Sequence, residues 1–203
     1  MYLLKHFAQN DITELQALMR AFPLATVVMQ DTDGLEANHI PLLLAPDAGP
    51  NGTLRGHVAR ANPLAGAGGR EILVVFQGHD RYISPSGYAT KSEHGKVVPT
   101  WNYCAVHASG RLRLIDDPGW LLAQVAALTM EHEAGRPKPW AVGDAPADYI
   151  EKMLGAIVGI EIVIDRLIGK WNVSQNQPPA NQASLIEALA GTPMADLIRQ
   201  QQQ

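Results

Sequence analysis

Apolar and polar residues alternate most persistently between Val97 and Ile115, VVPTWNYCAVHASGRLRLI. From Val106 onward, Val106, Ala108, Leu112 and Leu114 stand against Arg111 and Arg113, as in a strand with one buried face. Gly110 inside that run predicts a bulge or a close backbone approach, not a strand end. Pro99-Thr100 sets the entry, and Trp101-Asn102-Tyr103 and His107 add an aromatic and polar load. Spacing alone leaves two readings open: core anchors of an ordinary strand, or a strand that faces a ligand.

The rest of the chain is organised around shorter patterns. Asp11 to Glu14 reads as an N-cap with an acid three residues later, followed by a helical face of Leu15, Leu18 and Met19. Leu24–Gln30 and Leu35–Ala45 read as a hairpin through Asp31-Thr32-Asp33-Gly34. Pro41 removes a ladder donor, so that strand is an edge, bulged or ligand-facing there. Further strands are predicted over 53–58, 72–77 and 82–86, then over 97–115 after a loop from 87 to 96, and over 157–168. Asp117-Pro118 opens a helix to about Glu133, and 147–154 reads as a second one. Residues 169–177 form a polar exit, and 183–190 and 193–200 are short helices parted by Gly191-Thr192-Pro193. Strands outnumber helices and the early turns are short, so the fold class is mainly β with added helices (α+β), an antiparallel barrel rather than a parallel sheet.

The 203 residues fit one domain with a small appendage, here 1–177 with a helical tail over 178–203. A hydrophobic content of 46% with 18% charged residues suits a globular chain with a sizeable core. A net charge of −4 and the lack of a basic block discourage sequence-general nucleic-acid binding by a single chain. The single cysteine, Cys104, excludes an intrachain disulfide and a Cys-based zinc site, and reads as a small buried hydrophobe. With no signal-like start and no long apolar run, a cytoplasmic protein without a membrane span is expected.

The seven histidines are dispersed and no Asp-rich loop occurs, so no metal site is expected. Neither a Gly-x-Ser-x-Gly elbow nor a P-loop is present. Polar groups recur instead at strand ends: Asn38-His39, His57 with Arg60 and Asn62, Ser84, Thr100 with Trp101-Asn102, and Lys170 with Ser174-Gln175-Asn176. Arg60 and Lys170 suit a phosphate, the hydroxyls and amides suit a heteroaromatic edge, and Trp101 offers a stacking face. Each taken singly also reads as an ordinary strand-end residue.

At these residues the sequence resembles the PaiB family of FMN-binding transcriptional regulators. The resemblance lies in Met1-Tyr2 with His6-Phe7, Asn38-His39-Ile40-Pro41-Leu42, Gly56-His57-Val58-Ala59-Arg60-Ala61-Asn62-Pro63 and Val75-Phe76-Gln77-Gly78. It continues through Tyr82-Ile83-Ser84-Pro85-Ser86, Val98-Pro99-Thr100-Trp101-Asn102-Tyr103, Val106-His107 and Ser174-Gln175-Asn176. It implies a six-stranded antiparallel Greek-key split β-barrel, related to pyridoxamine-phosphate oxidase, that forms a homodimer with flavin sites at the subunit interface. By that likeness Asn38, His39, Ile40 and Pro41 line the flavin ring. His57, Ala59, Arg60 and Asn62 belong to the phosphate turn. Ser84, Thr100, Trp101 and Asn102 border the cleft, and Lys170, Ser174, Gln175 and Asn176 reach in from either subunit. Two departures stand out: Gly87 where the family usually has Trp, and Leu4 where it has Pro. Loss of an aromatic at 87 is expected to loosen the pocket mouth.

Three functions follow as expectations. One is negative regulation of transcription, through DNA or beside a small-molecule acetyltransferase partner. The second is flavin-dependent oxidoreduction with NADH or NADPH, with His57, Tyr82 and His107 as candidate proton donors. The third is a binding module in which FMN or another planar phosphate stabilises a dimer without turnover.

Overall fold

The computed structural model describes residues 1–202. A 3-10 turn at Lys5–Phe7 leads to β1 (Ala8–Gln9) and α1 (Ile12–Ala21). Asp11 Oδ1 accepts from the Thr13 amide at 2.8 Å, so the expected cap starts α1 where the sequence places it. Then come β2 (Leu24–Asp31), β3 (Gly34–Pro41), β4 (Leu43–Ala45) and β5 (Thr53–Ala59). A 3-10 turn at Pro63–Gly66 precedes β6 (Glu71–Ile83), and another at Pro85–Gly87 precedes α2 (Lys91–His94). The chain continues through β7 (Thr100–Ile115), α3 (Pro118–Glu133), α4 (Ala147–Gly155) and β8 (Ile157–Asn172), and closes with α5 (Pro179–Ala188) and α6 (Pro193–Gln200).

The sheet has eight strands in the order β3-β2-β6-β7-β8-β5-β4, with β1 added beside β8. Each registered pair is antiparallel: β1–β8, β2–β3, β2–β6, β4–β5 and β5–β8. The fold is therefore mainly antiparallel β with several helices. Its hydrogen-bonded order is open at β3 and β4, which only Leu42 separates in the chain. The expected count of six strands becomes eight: six are long, and β1 and β4 are two and three residues. The segment 72–77 and the first two residues of 82–86, expected as two strands, belong to the single β6, whose residues His79 to Tyr82 are exposed, while Pro85 and Ser86 lie in the 3-10 turn that follows. The first part of the polar exit, Gly169 to Asn172, is also strand, with Gln9 paired to Gly169 and Ala8 to Lys170.

The chain divides into two compact units. The first holds Met1–Ala21, Phe76–His107 and the chain from Ile168 onward; the second holds Phe22–Val75 and Ala108–Leu167. In the first, α1 contributes Leu15, Leu18 and Met19 to a core with Phe76, Cys104, Val106 and Trp171. The segment expected as a tail packs into this unit, burying Leu185, Met194 and Ile198. In the second unit the core is Val27, Met29, Leu54, Val74, Leu112, Ile160 and Ile162. Full burial of one such aliphatic side chain contributes about 1.5–3 kcal/mol. Gly110 sits here with no room for a side chain: a Cβ would lie 2.0 Å from the Val163 carbonyl oxygen. The close approach read from the sequence is real. Among the described residues no helix is long and apolar enough to cross a membrane.

Candidate functional site

The candidate residues fall into two groups, one in each unit. In the second unit, β3 pairs Val27 with Asn38, Thr26 with His39 and Ala25 with Ile40. Strand alternation then buries Ile40 and exposes His39. Asn38 takes part in a small amide network: Asn62 Nδ2 donates to Asn38 Oδ1 at 2.8 Å, and Asn38 Nδ2 donates to Glu36 Oε1 at 3.0 Å. Asn62 Oδ1 also accepts from the Leu64 amide at 2.9 Å, capping the 3-10 turn that Pro63 begins. One asparagine thus holds both the turn and the strand beside it.

Arg60 is engaged on all three of its nitrogens. Nε donates to the Gly155 carbonyl at 2.8 Å, Nη1 donates to Asp116 Oδ2 at 3.0 Å, and Nη2 donates to Asp116 Oδ1. This planar fork-on-carboxylate geometry is what a guanidinium does best, on a carboxylate or on a phosphate. Asp116 is held below the usual carboxylate range by the Arg60 hydrogen bond, and Arg60 is raised by its bond to Asp116. A phosphate at Arg60 has to compete with Asp116 for the guanidinium charge and finds only the two N–H groups that Gly155 and Asp116 leave free. That carboxylate is the functional neighbour missed from sequence, where Asp116 stood next to the helix cap Asp117 and carried no pattern of its own.

His57 lies on β5 opposite Gly159 of β8. The Trp120 ring of α3 fills the space over Gly159, where a Cβ would stand 2.4 Å from Cζ3. His57 Nδ1 is buried with no hydrogen-bond partner, and burial pushes the imidazole below its ordinary value. Ala59 is exposed at the strand end.

In the first unit the alternation of β7 separates neighbours sharply. Trp101 is 56% exposed and meets the half-exposed Tyr82 edge to face, with ring centroids 5.9 Å apart. Asn102, the next residue, is fully buried. Its Nδ2 donates to Ser174 Oγ at 2.9 Å, and Ser174 Oγ donates back to Oδ1 at 3.2 Å. Ser174 holds a φ of 66°, the left-handed conformation that residues other than glycine rarely adopt. Gln175 braces that turn, accepting from the Val173 amide at 2.8 Å and donating to the Trp171 carbonyl at 2.6 Å. Asn176 is exposed beyond it.

Lys170 Nζ lies 5.1 Å from the Tyr103 ring centroid and donates to the Tyr2 carbonyl at 3.3 Å. Ser84 caps the following 3-10 turn through the Ser86 amide at 3.3 Å, and Thr100 opens β7 half-buried. The space beside Gly87 is taken by α5. A Cβ there would stand 3.0 Å from Leu185 Cδ2 of α5, and Ser184 Oγ donates to the Gly87 carbonyl at 2.8 Å. Glycine lets α5 close down on this turn, where a larger residue would hold the helix away.

Residues 1–166 match the family described as "Putative FMN-binding domain". An uncharacterised protein of Emericella nidulans is 35% identical over 98% of this chain and 97% of its own length. The protease synthase and sporulation protein PAI 2 of Bacillus subtilis is 28% identical over 93% of this chain and 89% of its own. Among solved structures, the FAD and heme binding protein of Mycobacterium smegmatis has a TM-score of 0.63 at 20% identity, over 91% of this chain and 80% of that one. The flavocytochrome Anf3 of Azotobacter vinelandii has a TM-score of 0.59 at 18% identity, over 84% of this chain and 72% of that one. At such identities the two likenesses are of fold.

Proposed function

The chain belongs to the FMN-binding domain family, and we propose that it is a homodimeric, cytoplasmic flavoprotein with a regulatory rather than a metabolic role. Its cofactor is a flavin, FMN. The residues present fit the donor set that FMN requires. Within the second unit, Arg60 is a cation suited to a phosphate and the amides of the Asn38–Asn62 network suit a ring edge; within the first, Lys170 is a cation suited to a phosphate and Trp101 offers a half-exposed aromatic ring. The observation that carries this reading is Trp101, an indole left half in solvent at the head of a strand whose next residue is completely buried. When bound, FMN supplies hydride and electron transfer. The protein's own contribution is to orient the ring and hold the phosphate.

Regulation is supported by the likeness to the Bacillus subtilis sporulation protein. The charge balance of −4 argues that repression works through a partner, such as a small-molecule acetyltransferase, rather than through a basic surface of one chain. Arg199 is the one basic residue of α6 and is paired with Asp196, so α6 makes a poor recognition helix. Gel shifts at modest salt with the FMN-loaded protein, with and without the partner, test the transcriptional part. Retardation of a promoter fragment supports it, and none under either condition removes it.

Oxidoreduction by NADH or NADPH is the second reading. It is favoured by the exposed Tyr82 phenol beside Trp101, a proton donor open to solvent. Anaerobic bleaching of the bound flavin by either nucleotide supports turnover. An unchanged visible spectrum with both rejects it.

A further inference from the structure

A cavity of about 970 Å³ lies within the second unit, between α3 and α4. Its walls are Leu121, Leu122, Ala126, Val142, Ile150 and Leu154. Only three charged residues reach it: Arg60, Asp116 and Glu151. This combination of size, apolar wall and a few convergent polar groups is that of a small-molecule site.

The adjoining helix shows that the space is under-filled. Helix α4 turns Ala147, Ile150, Glu151 and Leu154 toward the cavity from one face, with Asp148 and Lys152 elsewhere on its surface, yet none of its residues is buried. Leu122 of α3 is 42% exposed on the same cavity. An amphipathic helix normally closes its apolar stripe against a neighbour. Here the stripe borders an open volume.

The charge at the rim selects the occupant's head group. Arg60 is already bound to Asp116 and the Gly155 carbonyl, so its charge is matched. Glu151 has no ion-pair partner among the described residues. A ligand carboxylate would compete with Asp116 for the Arg60 charge and would meet Glu151 with like charge. For a cation the balance is favourable: with Arg60 matched by Asp116, Glu151 leaves the rim with one net negative charge, and both oxygens of Asp116 keep free lone pairs. We propose that this cavity binds a small amphipathic amine, with an apolar or aromatic body against the α3 and α4 side chains and its ammonium toward Glu151 and Asp116. This site shares the Arg60–Asp116 pair with the phosphate position of the flavin reading, so amine and FMN are titrated separately.

The test uses 4-phenylbutylamine, with 4-phenylbutyrate and 4-phenylbutanol as anionic and neutral counterparts, titrated into the full chain by calorimetry. The expected result is saturable binding of the amine, at least tenfold tighter than the carboxylate and tighter than the alcohol. Glu151→Gln is expected to weaken the amine threefold or more and to leave the alcohol unchanged. Ala126→Phe fills the cavity and is expected to abolish amine binding, with a melting temperature and FMN titration like those of the wild type. No saturable heat with the amine, or a carboxylate bound as tightly, overturns the proposal. Wild-type amine affinity in Ala126→Phe overturns it too. A change of oligomeric state in that variant on a sizing column also overturns it, because the face then belongs to a second copy of the chain. FMN binding, read separately in the same samples, keeps the two propositions apart.

Discussion

The two groups of candidate residues differ in what their side chains are already doing. In the second unit the polar groups are occupied: Asn62 holds Asn38 and the next turn, and Arg60 holds Asp116 and Gly155. In the first unit the amides are equally occupied, Asn102 by Ser174 and Gln175 by the backbone, but the aromatic faces of Trp101 and Tyr82 are open. A flavin ring could meet Trp101 without breaking any bond of the protein. A phosphate at Arg60 must compete with a carboxylate already there. Residue type at a strand end indicates what a group can bind, and its hydrogen bonds indicate what it must release.

The largest expected effect separates the two cations. Arg60→Ala should weaken FMN by about 1.5–3 kcal/mol through loss of charged hydrogen bonds to the phosphate. Asp116→Asn should strengthen it, because the guanidinium is then no longer held by a full negative charge. Calorimetric titration checks both. If neither variant moves the affinity while Lys170→Ala does, the phosphate belongs to the first unit.

The neighbours Trp101 and Asn102 should then split cleanly. Asn102→Ala leaves the buried Ser174 hydroxyl without its partner and should cost about 1–3 kcal/mol in urea unfolding. A loss below about 0.5 kcal/mol would show that the pair does not hold the turn at Ser174. Trp101→Ala should leave unfolding within about 0.5 kcal/mol of wild type and weaken FMN by about 0.5–1.5 kcal/mol, the worth of one aromatic stacking contact. Equal FMN affinity with and without the indole would remove Trp101 from the site.

The smallest effect is a pH dependence. Burial holds folded His57 below its ordinary value of 6.5, so as pH falls through 6.5 the unfolded chain takes up a proton that the folded chain refuses. Stability contributed by the neutral ring is present above 6.5 and is lost progressively toward the lower folded value. His107 is lowered in the same direction, by burial first and then by the charged amino terminus. His57→Gln should flatten the fall in melting temperature between pH 7 and pH 5. An unchanged slope would assign the fall to His107.

Much of the fold was legible because its signals are local. The hairpin closes at Asp31 opposite Gly34, with glycine at a φ of 128°. Helix α3 begins at Pro118, with Asp117 Oδ1 accepting from the Trp120 amide at 2.6 Å. The glycine at 110 marks a backbone contact. What escaped were features with no local signature. Gly78 to Arg81 lies between two predicted strands and carries no apolar side chain, yet β6 runs through it. Gly169 to Asn172 reads as an exit because its partner, β1, is only two residues long. At the site, the sequence supplied Arg60, Asn62 and Trp101 by chemical type. It could not show that Arg60 meets Asp116, 56 positions away along the chain. Nor could it show that Gly87 admits α5 rather than widening a pocket.

The most direct test of the central claim is an equilibrium titration of the purified chain with FMN, read by quenching of flavin fluorescence and checked by dialysis. Saturation at one flavin per chain, weakened by Trp101→Ala and unaffected by Ala126→Phe, is the predicted result. Flavin that remains fully fluorescent and passes freely through the membrane at every protein concentration would contradict it.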